Sequence, residues 1–536
     1  MKILFIQPPI EDFYDTGIRT YPLGLLYLAK KVESLADVKI IDFRTYIKPQ
    51  RVKRNPFPEL SEYYKENLYS PFSLFKKYSR FGSSENDIKK QIESEKPDII
   101  CISSLFSTYA EEALNIAKIA KEIDRDIVTV LGGTHPTVLP EEVLKNPDVD
   151  FVIRGEGETP LYNLISILKN GDLQRLRDIN GLCFKSKERF FISPINIESD
   201  LNTIPGRSLV DADKYRIGKK RYTFFLISRG CPFRCAFCGR LSVPFRKRSL
   251  KTIEEELEEC VNLGIEWIDF EDDMLTYDTS HFREALKIFS GKRLILTAMN
   301  GIYSETLNKK IINEMMKAGF KRINLSIVDL SSSVLKAQRR FSGNIFFEIL
   351  PFIESTELLM EVHFILGLPQ QSLKHILDTM VFLSGRRCLL GPSAFYVVPK
   401  IDACEIVLGS NWKEKLKYMR SSVLKPGNPD LSRTTLFTIM KLSRFINFLK
   451  GLADKYGTMD ISELNNNNPG GPLNDDIVKE IITTLINEKR FIAYDKKNTF
   501  FYEPCDEQAV KYFFEEIKKM PIKGYKTHSL IKFNKR

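Results

Sequence analysis

Cys231, Cys235 and Cys238 stand in CxxxCxxC spacing within Cys231-Pro232-Phe233-Arg234-Cys235-Ala236-Phe237-Cys238, directly after the apolar run Phe224-Phe225-Leu226-Ile227. Three thiolates on one tight loop can hold three irons of a [4Fe–4S] cube and leave the fourth iron without a protein ligand. An open iron is a place for chemistry. Zinc sites usually show paired CxxC units or a Cys/His quartet; here the triplet stands alone, and the five histidines, His135, His281, His363, His375 and His528, are all distant in sequence. Cysteines packed this closely, in a chain whose Met1-Lys2-Ile3-Leu4-Phe5-Ile6 start reads as a buried strand rather than a signal peptide, point to metal binding and not to a disulfide framework.

The elements that must position this loop extend on both sides of it. In the first third, apolar runs at Ile3–Ile6, Val38–Phe43, Ile99–Ser103, Ile127–Leu131 and Phe151–Ile153 alternate with helical patterns at Leu23–Val32, Ser84–Glu95 and Ala110–Ile123. Such alternation predicts a parallel, doubly wound sheet, whose ligands lie beyond the carboxyl ends of the strands. The loops there hold Gln7-Pro8-Pro9, Ser103-Ser104, Gly132-Gly133-Thr134-His135-Pro136 and Gly155-Glu156-Gly157-Glu158. Glycines in those loops let a backbone approach a bulky ligand. Between the second strand and the Ser84–Glu95 helix, an insertion over 46–81 gathers aromatics (Phe57, Tyr63, Tyr64, Tyr69, Phe72, Phe75, Tyr78, Phe81) among lysines. It is expected to be a surface subdomain packing its rings on the core, or a cap over a pocket. A linker is expected over 171–215.

From Tyr222 the alternation resumes, with strands expected at Tyr222–Ser228, Ile265–Phe270, Leu294–Met299, Arg322–Ile327, Met360–Leu366 and Ala394–Val398. Six such units over 216–420 make a partial barrel, with its chemistry on loops at the strand carboxyl ends. Polar groups wait there: Asp272 and Asp273 after the second strand, Asn300 after the third, Ser326 within the fourth, Arg340 beyond it, and Gly367-Leu368-Pro369 after the fifth. Helix capping, turn formation or ordinary hydrogen bonding would also account for each. Beyond residue 420 the pattern turns mainly helical, with Thr434–Tyr456 and Asp476–Glu488, a possible hairpin at Arg490–Tyr494 and Thr499–Tyr502, and an Asn465-to-Pro472 linker. Cys404 and Cys505 read as buried or incidental thiols.

The cysteine spacing, with an aromatic before its last member, resembles the signature of the radical S-adenosylmethionine (SAM) enzymes. The GGTHP segment, the Asp150-to-Glu158 stretch and Pro22-Leu23-Gly24-Leu25 are similar to the N-terminal domain of the cobalamin-dependent class of that family, over residues 1–170. The resemblance implies a [4Fe–4S] cluster on Cys231, Cys235 and Cys238 whose open iron chelates SAM, and whose electron releases a 5′-deoxyadenosyl radical. It places SAM against Asp272, Asp273, Asn300, Ser326, Arg340 and Gly367, and cobalamin against Ser103, Gly132, Gly133, Gly155 and Glu156. The DxHxxG sequence that supplies a histidine to cobalt in many cobalamin proteins does not occur. Cobalamin is therefore expected to bind without a protein histidine ligand, and His135 is expected to serve the loop structurally. Gln370, Val328 and Pro399-Lys400 also depart from the family's usual glycine, glutamate and Pro-Gly. The activity implied is methylation of an unactivated carbon; a radical ring-forming or rearranging oxidoreductase and a non-catalytic corrinoid- or RNA-binding protein are the alternatives.

Composition sets outer bounds. At 536 residues and 43% hydrophobic content the chain can fill several cores, and it has no run of 18 apolar residues to span a bilayer. A net charge of +11 is mild over such a length, and Lys219-Lys220-Arg221 and Arg246-Lys247-Arg248 are better read as solvated runs than as a nucleic-acid surface. Nine cysteines without a pairing pattern suit a reducing, cytoplasmic setting. The expected partners are a small-molecule or lipid substrate and an electron donor such as flavodoxin or ferredoxin.

Overall fold

A computed structural model describes residues 1–13, 20–45, 48–52, 55–75, 77–187, 189–340, 343–465 and 475–533. Its first sheet is built from strands that are apolar on both faces, as helices on both sides require. β1 (Lys2–Gln7), β2 (Asp37–Asp42), β3 (Ile99–Ser103), β4 (Val128–Gly132) and β5 (Phe151–Ile153) run parallel in the order β5-β4-β3-β1-β2. One face buries α1 (Leu23–Val32) and the other α2 (Glu85–Glu95) and α3 (Ala110–Ile123). A fourth helix, α4 (Glu158–Asn170), joins α1 on its face. The order reverses between β1 and β3, which opens a crevice at their carboxyl ends.

The expected linker begins as part of this sheet. β6 (Leu182–Ser186) and β7 (Arg189–Ile192) form an antiparallel hairpin whose first strand pairs with β5. Leu182 and Cys183 are fully buried, and Phe184 meets Phe191 with ring centroids 5.1 Å apart. So short an apolar run carries too little periodicity to stand out from a loop.

The second unit is a partial barrel. β8 (Lys220–Phe225) pairs in parallel with Trp267–Phe270, and that strand with Ile295–Ala298. Arg322–Val328, Leu359–Leu366 and Leu389–Ala394 form the other parallel half, joined to the first by a bridge between Leu296 and Phe320. A two-stranded ribbon stands at the first strand's end: β9 (Ser228–Arg229) against β10 (Arg246–Lys247), enclosing the loop 230–245 with all three cysteines. We label the remaining barrel strands β11 (Trp267–Phe270), β12 (Ile295–Ala298), β13 (Arg322–Val328), β14 (Leu359–Leu366) and β15 (Leu389–Ala394). Alternation decides the faces: Met360, Val362, Phe364 and Leu366 of β14 enter the core, whereas Glu361 and His363 point to the other side. The sixth strand was expected at Ala394–Val398 but ends at Ala394. Gly391-Pro392 reads as a breaker, yet β15 is the edge strand of its sheet, where proline is tolerated. Gly391 has its own reason: a Cβ there would stand 2.6 Å from the His363 ring.

A fully buried Arg–Glu–Arg set ties the units together. Glu256, on the helix α5 (Leu250–Asn262), faces Arg207 at 2.7 Å and Arg248 at 2.5 Å, all with side chains no more than 1% exposed. Arg248 donates to the carbonyls of Leu201, Thr203 and Leu226, and Arg207 to Phe224 O and Thr223 Oγ1.

The C-terminal part is mainly helical, with α6 (Arg433–Tyr456), α7 (Asp476–Glu488) and α8 (Glu507–Ile517), and it adds the expected hairpin as Ile492–Tyr494 and Phe500–Tyr502. The insertion rests its rings on this part and on the segment just before it: Tyr63 on Phe437 and Phe72 on Phe445, at 5.2 and 5.6 Å, and Phe57 on Tyr418 at 5.2 Å. It is an apolar partner of α6. The asparagine-rich linker lies, from residue 466, outside the described residues. Among the described residues no helix is long and apolar enough to cross a membrane.

Candidate functional site

The cysteine loop is shaped from its base upward. Asp272, immediately beyond β11, is fully buried, and its carboxylate accepts the Ile227 N–H at 3.1 Å, the Ser228 N–H at 2.6 Å and the Ser228 hydroxyl at 2.6 Å. It therefore fixes the entry to the loop. Gly230 follows at φ +94°, where a Cβ would meet Pro244 O at 2.3 Å, so the two ends of the loop touch through a glycine. Within the loop, Cys238 N–H donates to Cys235 O, and Ala236 N–H to Gln338 O.

All three cysteines are half-buried, and no disulfide joins them. Burial pushes the Cys231 thiol up, and Asp273, Cys235 and Cys238 add to that; burial also raises Cys235, against the pull of Arg340. Among the described residues no three His, Cys, Asp or Glu side chains converge as a single ion requires. A cube makes no such demand, since each thiolate binds its own iron. Three soft, mutually adjacent thiol donors on one loop fit the cluster, which would draw their protons off on binding.

The other expected SAM residues divide. Asp273 pairs with Arg240 of the cysteine loop and stays at its edge. Arg340 lies against Cys235 and stacks 5.3 Å from the Tyr303 ring, itself 5.3 Å from Phe233. Asn300 and Ser326 are exposed, as is Met299, at 40%, beside Asn300. Ser326 opposes His363 in register on the face of β13 and β14 away from the core. Gly367, directly after β14, sits in a turn: its N–H donates to Gln371 Oε1 at 2.7 Å, its carbonyl accepts from Gly427, and Leu436 of α6 covers it. Gly367 thus shapes a buried turn, and the structure brings Asp273, Arg340 and Tyr303 around the cysteines without it.

The second half of the site is a cavity of about 260 Å³ at the crevice of the first sheet. Ser103, Gly132, Gly133, Gly155 and Glu156 all line it, with Gln7, Gly24, Tyr27 and Leu105, and the barrel closes it with Leu226 and Arg229. The fit to a corrinoid rests on three observations. A Cβ on Gly24 or Gly132 would meet nothing within 4 Å, so both glycines leave backbone bare to the cavity. Among the described residues, the Tyr27 hydroxyl and the Ser104 hydroxyl beside the cavity are buried without a hydrogen-bond partner. Leu105 and Phe106 are 46% and 52% exposed at the end of β3, an apolar seat for a flat macrocycle. The enclosed volume is small for a ligand pocket, so a corrinoid would fill it in part and rest on this apolar rim.

His135 is absent from the lining. It is buried, its Nδ1 lies 3.0 Å from Ser107 Oγ, and burial pushes its imidazole down to about 4. The expected structural role describes its place. A second cavity, of about 500 Å³, lies within the insertion between Phe13, Tyr64, Lys77 and Tyr78 and shares no lining residue with the cysteine loop or the first cavity. Sequence reasoning overlooked Arg229, Tyr27 and Tyr303; Arg229 alone left a trace, two positions before Cys231.

Fold and site define an α/β protein in which a cofactor crevice of a doubly wound sheet abuts a three-thiolate loop at the mouth of a partial barrel. Family models agree: residues 78–165 match the B12 binding domain and residues 225–383 the radical SAM superfamily. The chain is 31% identical over 349 residues to an uncharacterized methyltransferase of Pyrococcus horikoshii, covering 63% of this chain and 67% of that protein. It is 27% identical to the anaerobic magnesium-protoporphyrin IX monomethyl ester cyclase of Rubrivivax gelatinosus, over 55% of this chain and 56% of that one. The solved structure of TsrM, a radical SAM methyltransferase of Kitasatospora setae with cobalamin and a [4Fe–4S] cluster bound, shares the fold at a TM-score of 0.56 and 14% identity, over 76% of this chain and 75% of that one. The chain belongs to the radical SAM enzymes that carry an N-terminal cobalamin-binding domain. Its cofactors are a [4Fe–4S] cluster, SAM and cobalamin.

Proposed function

We propose that this enzyme transfers a methyl group to an unactivated carbon of a small-molecule substrate, working in a reducing, cytoplasmic setting with electrons from a flavodoxin or ferredoxin. The observation that carries the reading is the direct abutment of the two cofactor sites: Arg229, two residues before Cys231, is itself a wall of the cobalamin cavity. When bound, the cluster supplies the electron that splits SAM and cobalamin supplies a transferable methyl group. The chain's part is to hold and orient. Cys231, Cys235 and Cys238 would ligate the cluster, and Asp272 sets the backbone from which their loop starts. Arg340, beside Cys235, is placed to meet the carboxylate of SAM in a fork, and Asp273 to accept hydrogens from its ammonium. Exposed Asn300, after β12, and Ser326, on the face of β13 away from the core, offer further hydrogen bonds. Glycines at 24 and 132 and the Leu105–Phe106 rim would seat the corrinoid with no histidine beneath the metal.

A reconstituted, reduced protein tests this. With substrate pools extracted from the source cells, formation of both 5′-deoxyadenosine and S-adenosylhomocysteine with a methylated product supports it. Deoxyadenosine alone, with a product altered but not methylated, favours ring formation or rearrangement, as the cyclase relative's name describes for that protein. No SAM cleavage at all leaves a non-catalytic corrinoid- or RNA-binding protein.

A further inference from the structure

The cobalamin cavity and the cysteine loop share a charged clamp. The ribbon β9–β10 closes the base of loop 230–245, and Arg229 and Arg246 are direct register partners across it. Opposite them, the loop between β5 and α4 and the first residue of α4 each present a carboxylate. Glu156 takes Arg246 in a fork, Nη1 at 2.7 Å and Nη2 at 2.9 Å, and lies 3.6 Å from Arg229; Glu158 takes Arg229 Nη2 at 2.7 Å. Arg229 also stacks 4.7 Å from the ring of Tyr27. Arg229 and Glu158 are 14% and 9% exposed, so water screens this pair little. Glu156, Glu158, Arg229 and Tyr27 all face the cavity.

The acidic loop has no slack on its far side. Gly155 sits at φ +85°, where a Cβ would stand 2.2 Å from Asn196 O, and the Asn196 side chain donates to Glu156 O. A ligand that presses on residues 155–158 must therefore shift the arginines, and with them the base of the cysteine loop. We propose that Glu156 and Glu158, acting through Arg229 and Arg246 as positioning residues, couple occupancy of the cavity to the geometry of the cysteine loop, so that cobalamin and the cluster strengthen each other's binding. This rests on the assignment of the cavity to cobalamin and of the three cysteines to the cluster. Coupling of this kind is reciprocal, and commonly about 5- to 150-fold.

The test uses the full chain. Hydroxocobalamin is titrated by absorbance with and without the reconstituted cluster, and the reduced cluster's electron paramagnetic resonance spectrum is recorded with and without cobalamin. The expected result is cobalamin affinity about tenfold higher with the cluster present, and a spectrum that changes when cobalamin binds. In Glu156→Gln/Glu158→Gln the ratio of cobalamin affinities with and without the cluster falls to about one and the spectral change is lost, whatever the affinity for either cofactor alone becomes. Arg246→Lys, which keeps the charge and loses the fork, gives an intermediate factor and serves if the double variant does not fold. Arg283→Gln, which removes an ion pair to Glu314 elsewhere on the surface, leaves the factor unchanged. Unlinked binding in the wild type, or full linkage in the double variant, overturns the proposal alone. A wild-type chain that takes up no cobalamin overturns the assignment beneath it.

Discussion

Replacing Asp272 by alanine isolates what holds the cysteine loop in place. The carboxylate accepts three hydrogen bonds, two from backbone N–H groups at 3.1 and 2.6 Å and one from the Ser228 hydroxyl at 2.6 Å, at a position with no solvent exposure. The hydroxyl can rotate to another acceptor, but the Ile227 and Ser228 amides cannot. Each buried donor left unpaired costs about 1–3 kcal/mol. With the lost charge-assisted bonds, the loop base should be destabilised by about 3–5 kcal/mol. In a chain of several domains one unfolding midpoint would blur this, so the assay is amide hydrogen exchange at residues 227–230, beside iron content after reconstitution. Exchange there should quicken by at least about 100-fold, and iron per chain should fall. Unchanged exchange together with full iron would refute the reasoning that Asp272 sets the loop.

The same residue carries a pH dependence. Burial pushes its carboxyl from 3.8 up to about 7, against the opposing hydrogen bonds of Ser228 and Ile227. A raised carboxyl pKa gives stability that is full below the unfolded value and lost as pH rises through the folded one; hence protection of the loop base should decline from about pH 4 to pH 7, and Asp272→Asn should flatten that decline in exchange measured across the range. Glu256→Gln removes the charge between two buried arginines. The contacts are close but poorly aligned for hydrogen bonding, so the loss should sit near the lower end of the usual range, about 3 kcal/mol, read as faster amide exchange over the helix α5. Gly132→Val points a side chain into the cavity without backbone strain; it should fold and take up iron as the wild type does, yet lose absorbance-monitored cobalamin binding. Gly133→Ala differs: at φ +117°, with Ser104 O 2.5 Å from the added Cβ, it should lower the melting temperature of the sheet domain.

How much of this could be read from the sequence depended on whether the signal was local. The cysteine loop was legible because its three side chains and its preceding strand lie within 15 contiguous residues, 224–238. The crevice cavity of the first sheet was legible for a different reason: strand order in a parallel sheet puts ligand crevices at the carboxyl ends, and Ser103, Gly132, Gly133, Gly155 and Glu156 line a cavity there. Direction was not legible. Asp272 and Asp273 are adjacent, yet one points into the barrel wall and the other out to Arg240, and type alone could not assign them. Nor were partners distant in the chain: Arg229 and Glu158 are about 70 positions apart, and nothing near either announces the pair. Pro392 misplaced the sixth strand because the tolerance of proline depends on being at an edge, a property of the whole sheet. Nor was the cover over Gly367 legible, since it comes from the helix α6, about 70 positions further along the chain.

The central claim is that one chain uses the three-thiolate loop to cleave one SAM and the neighbouring cavity to pass on the methyl group of a second. The most direct test follows methyl-labelled SAM through the anaerobically reconstituted, cobalamin-loaded protein. The account predicts label on the bound corrinoid and then on carbon in the product, with deoxyadenosine formed alongside, and with product and deoxyadenosine both abolished in Cys235→Ala. Label that never leaves SAM or its methionine fragment, or deoxyadenosine formed equally by wild type and Cys235→Ala, would contradict it.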